Sequence, residues 1–191
     1  MKIVQIGTNT GNDDLSKLIQ DNQPDLLLLV EPMKIHNEKI EDQYKWVKNK
    51  VIENIAITTE SSSEQETSFF YHKNDGPLYE VASIDRYHIL KHGYHPEGIV
   101  EIRVECKTIN ALFEKYNLQQ INILFIDAEG LDDQIIKSID FSKFKINEIY
   151  FENLHLKNQD IYEYLNKLGY FIIEKVGMNG WSSLAKKNNT R

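Results

Sequence analysis

The sequence predicts a doubly wound α/β fold: a mostly parallel sheet, helices on both faces, and a closing antiparallel hairpin. Three observations predict it. Short apolar segments alternate with stretches whose apolar residues recur every three or four positions, the helical period. One segment, Asp25-Leu-Leu-Leu-Leu-Val30, is apolar without alternation, as a strand buried on both faces must be. Near the end, Tyr170 to Val176 and Ser183 to Lys186 flank a Gly177–Gly180 turn region, which reads as an antiparallel pair.

The elements follow in order. Lys2-Ile-Val-Gln-Ile6 is a strand running into Gly7-Thr-Asn-Thr-Gly11. Asp13 and Asp14 open a helix carrying Leu15, Leu18 and Ile19, with acid at its positive end. The Asp25–Val30 strand stops at Glu31-Pro32. A polar helix is expected over 34–49, with Ile40, Tyr44 and Val47 on one face, and then one strand from Val51 to Thr58. Residues 67–101 hold six aromatic side chains and four of the six histidines without clear periodicity. This stretch reads as an insertion of short strands and loops before the fourth strand, within a single domain of residues 1–191.

Thr108 is placed to cap a helix bearing Ile109, Leu112, Phe113 and Tyr116. Ile121 to Ile126 is a strand stopping at Asp127-Ala-Glu-Gly130, followed by a helix with Leu131, Ile135, Ile136 and Ile139. Ile146 to Phe151 is the next strand, stopping at Glu152-Asn153. A last helix carries Ile161, Tyr164, Leu165 and Leu168, and Gly169 ends it.

Composition narrows the function. With 22 basic and 29 acidic residues the net charge is −7, which argues against a duplex nucleic-acid surface. The longest apolar run, Leu26 to Val30, is too short to span a bilayer, and no secretory leader opens the chain. A soluble, cytoplasmic domain is expected. The one cysteine, Cys106, excludes a disulfide framework and reads as a packed strand residue.

In this architecture ligands sit at the C-terminal strand ends. The Gly7-x-x-x-Gly11 turn suits close backbone approach to a ligand, yet it lacks the G-x-G-x-x-G spacing of dinucleotide folds. Glu31, twenty residues beyond Gly11, is placed to accept both hydroxyls of an adenosine ribose.

Together these segments resemble the FkbM family of S-adenosylmethionine-dependent methyltransferases. Val4 to Gly11 is similar to the family's cofactor loop, Val30-Glu-Pro32 to its ribose-binding strand end, and Ile52-Glu-Asn-Ile-Ala-Ile57 to its third strand. Val81-Ala-Ser-Ile84 resembles an internal serine motif, and Cys106-Lys-Thr-Ile with Ile123 to Gly130 the family's D-x-E-G signature. The resemblance implies a seven-stranded Rossmann-like sheet and S-adenosylmethionine held by Gly7, Thr8, Asn9, Gly11, Glu31, Pro32, Asn54, Ala56 and Asp127. It implies methyl transfer to a hydroxyl oxygen of a small molecule, with a carbohydrate as the expected partner. A helix that often precedes the first strand in the family has no counterpart in these residues, so a thinner wall is expected there. The acid after the D-x-E-G turn falls at Asp132 or Asp133.

A protonated alcohol is a poor nucleophile, so a base or a metal should stand near the acceptor. In the metal route, Asp127, Glu152 and Asn153 hold Mg²⁺ or another hard divalent cation, as in metal-dependent O-methyltransferases. In the other route a histidine is the base, with His92, His95 and His155 as candidates; His72 is expected to be structural. Two rivals stay open: a catalytically degenerate fold acting as a binding module, and a NAD- or nucleotide-binding enzyme.

Overall fold

The structure, a computed structural model, describes residues 1–19, 23–59, 65–152, 160–177, 180 and 182–188. The central sheet is built from β1 (Lys2–Ile6), β2 (Leu26–Val30), β3 (Lys50–Glu53), β7 (Gln120–Ile126), β8 (Lys145–Glu152), β9 (Tyr170–Val176) and β10 (Ser182–Lys187). Their order is β3-β2-β1-β7-β8-β10-β9. The first five run parallel, and β10 pairs antiparallel with both β8 and β9. The doubly wound sheet and its closing hairpin are as the sequence predicts.

Alternation along each strand sends side chains to two cores. Val4, Ile6, Leu28, Val30, Leu124 and Ile126 face one side. There they meet α4 (Ile109–Lys115), α5 (Asp132–Ser138) and α6 (Asp160–Lys167) through Leu112, Phe113, Ile135, Ile136, Ile161 and Leu165. Ile3, Leu27, Leu29 and Phe125 face the other side, against Leu15 of α1 (Asp14–Leu18) and Ile40 of α2 (Asn37–Gln43). Burial on both faces is why β2 tolerates no polar residue; each such leucine contributes roughly 1.5–3 kcal/mol on leaving water. Asp13 caps α1 by accepting from Ser16 N, and Thr108 caps α4 by accepting from Ala111 N.

Two expectations need correction. The helix expected over 34–49 is a 3₁₀ turn, Lys34–His36, followed by the seven-residue α2, although Tyr44 and Val47 are buried as read. The strand expected from Val51 to Thr58 is two strands in two sheets. β3 follows β2 as far as Val30↔Glu53, and the chain turns at Asn54-Ile55. It then enters β4 (Ala56–Thr58), which pairs parallel with β6 (Ile99–Thr108). The turn is held by Asn54, whose amide donates to Glu31 O and exchanges hydrogen bonds with Asn37.

The irregular insertion is a second, three-stranded sheet, β4-β6-β5, with β5 (Glu66–His72) antiparallel to β6. It also carries a helix, α3 (Arg86–Lys91), capped by Asp85 and not foreseen from sequence. β6 begins at Ile99 because it pairs with β5 from Ile99 to Glu105. Cys106 is half-buried on β6. His72 is buried against Gly98, with Nε2 3.1 Å from His95 O and Nδ1 accepting from Asn74 N, a packing role as expected. No described helix is long and apolar enough to cross a membrane.

Candidate functional site

β1 and β7 lie side by side with Ile6 opposite Ile126. From β1 the sheet extends through β2 on one side and through β7 on the other, so the connections diverge here and leave a crevice beyond the strand ends. A cavity of about 420 Å³ occupies it, roofed by the insertion through Phe69, Tyr79, Ala82 and Ser83.

The glycine turn shapes one end. Gly7 has φ +77°, and a Cβ there would lie 1.8 Å from Asp127 O, so both conformation and space demand glycine. The Gly7 and Thr8 amides donate to Val30 O at 3.0 and 3.1 Å, folding the loop back over β2. Thr8 Oγ1 is buried with no partner among the described residues, beside the cavity it helps to line. Asn9 N donates to Glu31 Oε2 at 2.7 Å, and Met33 N donates to Glu31 Oε1 at 2.8 Å. Glu31 is therefore fixed by one backbone donor on each oxygen, at the cavity wall. Burial pushes its carboxyl up to about 7, against those two hydrogen bonds.

Of the nine residues expected to hold the cofactor, seven line the cavity: Gly7, Thr8, Asn9, Glu31, Pro32, Ala56 and Asp127. Gly11 and Asn54 do not line it. Gly11, at φ +73°, packs on Tyr44, and Asn54 anchors the carbonyl of Glu31.

Carboxyl groups dominate the other end. Asp127 follows β7, Glu129 sits in the D-x-E-G turn at φ +46°, and Glu152 ends β8. Asp132, buried at the start of α5, ties them together: Oδ1 accepts from Ala128 N at 2.8 Å and Oδ2 from Glu152 N at 2.9 Å. Asp127 is densely surrounded by protein, yet it faces the open cavity and water reaches it. Surrounding protein and then Glu152 and Asp13 push its carboxyl up to about 7, with His88 opposing. Burial, then Asp127 and Glu152, push Glu129 up to about 9. Burial raises Asp132 and Glu152 as well. Six carboxylic side chains line the cavity (Asp13, Glu31, Glu80, Asp127, Glu129 and Glu152), and among the described residues no Lys, Arg or His lines it.

Of the candidate bases, His92 caps the C-terminal end of α3 with its ring 4.6 Å from that of His88, outside the cavity lining. His95 is a surface residue whose Nδ1 accepts from Glu97 N, also outside the lining. His155 and the metal candidate Asn153 lie outside the described residues. The histidine brought to the site is one that sequence reasoning passed over. His88, buried on α3, has Nε2 2.9 Å from Glu129 Oε2 and lies over Gly130. Its signal was the His88-x-x-x-His92 spacing, legible only once residues 86–91 are known to be helical. Ser83 is likewise structural glue: its backbone pairs with Phe70 and its Oγ donates to Glu129 O, fastening the insertion to the turn.

The sequence model of the methyltransferase FkbM domain matches residues 5–172. A structure of a presumed methyltransferase from Thermoplasma acidophilum aligns over 100% of this chain and 69% of its own, at 12% identity and a TM-score of 0.46. No curated protein matches the chain significantly.

Proposed function

The chain belongs to the FkbM methyltransferase family, and from that premise we propose that it methylates a hydroxyl oxygen of a small molecule, a sugar or glycoconjugate in particular. The observation that carries the reading is the charge of the cavity. Six carboxyls and no described basic side chain favour a positively charged ligand and oppose the pyrophosphate of a dinucleotide. S-adenosylmethionine, with its sulfonium and ammonium, fits that lining; NAD does not.

The residues present also fit the rest of the cofactor. Glu31 offers its remaining lone pairs to the ribose hydroxyls, Thr8 Oγ1 offers a buried polar atom, and the bare Gly7 backbone permits close approach. When bound, the cofactor would supply an electrophilic methyl group for the acceptor oxygen, with its thioether as the leaving group. The protein's task is alignment and removal of the hydroxyl proton. Asp127, facing the cavity with its carboxyl near 7, receives that proton, and Glu152 beside it keeps its basicity high. Phe69 and Tyr79 give the acceptor an apolar wall, and Asn12, Glu80 and Ser83 give it polar partners, a lining suited to a sugar ring.

A second reading rests on the same pair. Two carboxyls at adjacent strand ends, Glu152 raising Asp127 by its charge, suit a hard cation, so Mg²⁺ would be held by Asp127 and Glu152. The test is transfer of labelled methyl from S-adenosylmethionine to a panel of monosaccharides and glycosides, with Mg²⁺ and with EDTA. Labelled methyl ether supports the proposal, and loss of turnover in EDTA that Mg²⁺ restores selects the second reading. Cofactor binding without transfer to any hydroxyl would favour a binding module instead.

A further inference from the structure

Beside the cavity, three side chains from two separate elements converge in a way the methyl-transfer reading does not use. His88 on α3 and His92 at its C-terminal cap stand four residues apart, with ring centroids 4.6 Å apart. Glu129 approaches from the D-x-E-G turn. One donor atom from each lies within 4.8 Å of the other two. Among the described residues searched for histidine, cysteine and acidic ligands, this is the group that meets such a criterion.

We propose that His88, His92 and Glu129 bind a first-row divalent metal of the Zn²⁺ class, at the acceptor side of the cavity. The donor set decides the class of ion. Two imidazole nitrogens and one carboxylate suit Zn²⁺ or its neighbours, whereas Mg²⁺ and Ca²⁺ favour oxygen throughout. Three protein ligands leave a coordination position open, the pattern of reactive zinc sites rather than of closed structural ones. His88 Nε2 and Glu129 Oε2, 2.9 Å apart, already stand close to the edge length that two ligands share on such an ion. His92 is exposed at the C-terminal end of α3, which gives an ion a path from solvent.

Two consequences follow from the position. The ion joins the inserted helix to the turn after β7, reinforcing the Ser83 Oγ to Glu129 O contact that already fastens them. It also places positive charge beside Glu129, which lines the cavity along with Asp127 and Glu152. The part of this inference that gives the ion a share in activating the acceptor hydroxyl rests on the methyltransferase reading; binding of the ion does not.

The experiment is titration of the metal-stripped, untagged full chain with Co²⁺, followed by visible absorption and displacement with Zn²⁺. One equivalent is expected to give the intense bands of four- or five-coordinate Co²⁺, which Zn²⁺ abolishes. His92→Ala and Glu129→Gln should each weaken binding by more than about tenfold, while His95→Ala leaves it unchanged. His92 is exposed, so its variant keeps the test valid if replacements at buried His88 fail to fold. Absent bands, or His92→Ala binding as the parent does, would overturn the proposal. S-adenosylhomocysteine titrated into the same samples separates the two readings. Cofactor binding without Co²⁺ bands removes the metal site alone, and bands without cofactor binding remove the methyltransferase reading alone.

Discussion

Glu31→Gln tests the cofactor site through both affinity and pH. The parent carboxylate is held by Asn9 N and Met33 N and would accept the two ribose hydroxyls with its remaining lone pairs. Hydrogen bonds to a charged acceptor contribute about 1.5–3 kcal/mol. Above pH 8, where Glu31 is ionised, the variant should bind S-adenosylhomocysteine about ten- to hundredfold more weakly. The pH dependence carries the sharper signature. Burial raises the carboxyl to about 7, and a proton on it competes with the ribose hydroxyls for the same oxygens. Affinity of the parent should therefore fall about tenfold from pH 8 to pH 6 as the ionised fraction falls. The glutamine variant has nothing to titrate at this position, so its affinity should change much less over the same range. Calorimetric titration across this range measures both effects. Gln presents an amide N–H to one of two backbone donors, so thermal unfolding of the same samples must show the variant still folded. A folded Glu31→Gln protein that matches the parent in affinity and in pH slope would refute the placement of the ribose.

Other substitutions probe the frame. Gly7→Ala puts a Cβ 1.8 Å from Asp127 O at φ +77°, so it should lower stability by about 2 kcal/mol or more and abolish S-adenosylhomocysteine binding; a variant as stable as the parent would contradict the geometry. Asp132→Asn leaves one of two buried backbone amides, Ala128 N or Glu152 N, without its acceptor, and urea unfolding should show a loss of about 1–3 kcal/mol. Asp127→Asn should leave cofactor affinity within a few-fold of the parent while methyl transfer falls about a hundredfold or more, and retained transfer would exclude Asp127 as the base. Stability of the ligand-free protein should fall with rising pH. Glu31 and Glu129 are raised to about 7 and about 9, so their contribution is complete below about pH 4.5 and is lost as pH climbs through those folded values. Calorimetric melting that stays level or rises from pH 5.5 to pH 9 would contradict this.

Periodicity made the central sheet legible because strands buried on two faces leave a direct trace in composition, as Leu26–Val30 does. The strand ends were legible for a similar reason: Gly7 and Glu31 occupy positions where topology alone places a ligand. Residues 51–58 read as one strand because Val51, Ile52, Ile55, Ala56 and Ile57 lie close together in sequence and only a two-residue turn separates β3 from β4. What divides them is the Asn54–Asn37–Glu31 hydrogen-bond set, which depends on groups far apart in sequence. His88 was passed over for a related reason. Its partner Glu129 lies 41 residues away, and the burial that gives the pair meaning comes from packing of the insertion onto the D-x-E-G turn.

The six carboxyls that line the cavity are a liability for folding and an asset for selection. Carboxyls crowded around one cavity repel one another, and burial raises Glu31 and Glu129, with neighbouring carboxyls adding to the rise at Glu129. Lys115 with Glu53 and Lys186 with Glu148 show ordinary pairing elsewhere on the chain, yet no described basic side chain reaches the cavity wall. A cationic ligand relieves the repulsion on entering, so the same groups that weaken the empty protein strengthen the loaded one. An anionic ligand of equal size would add to the repulsion. Discrimination between a sulfonium cofactor and a dinucleotide thus needs no dedicated contact: it follows from the sign of the charge gathered at the ends of β1, β2, β7 and β8.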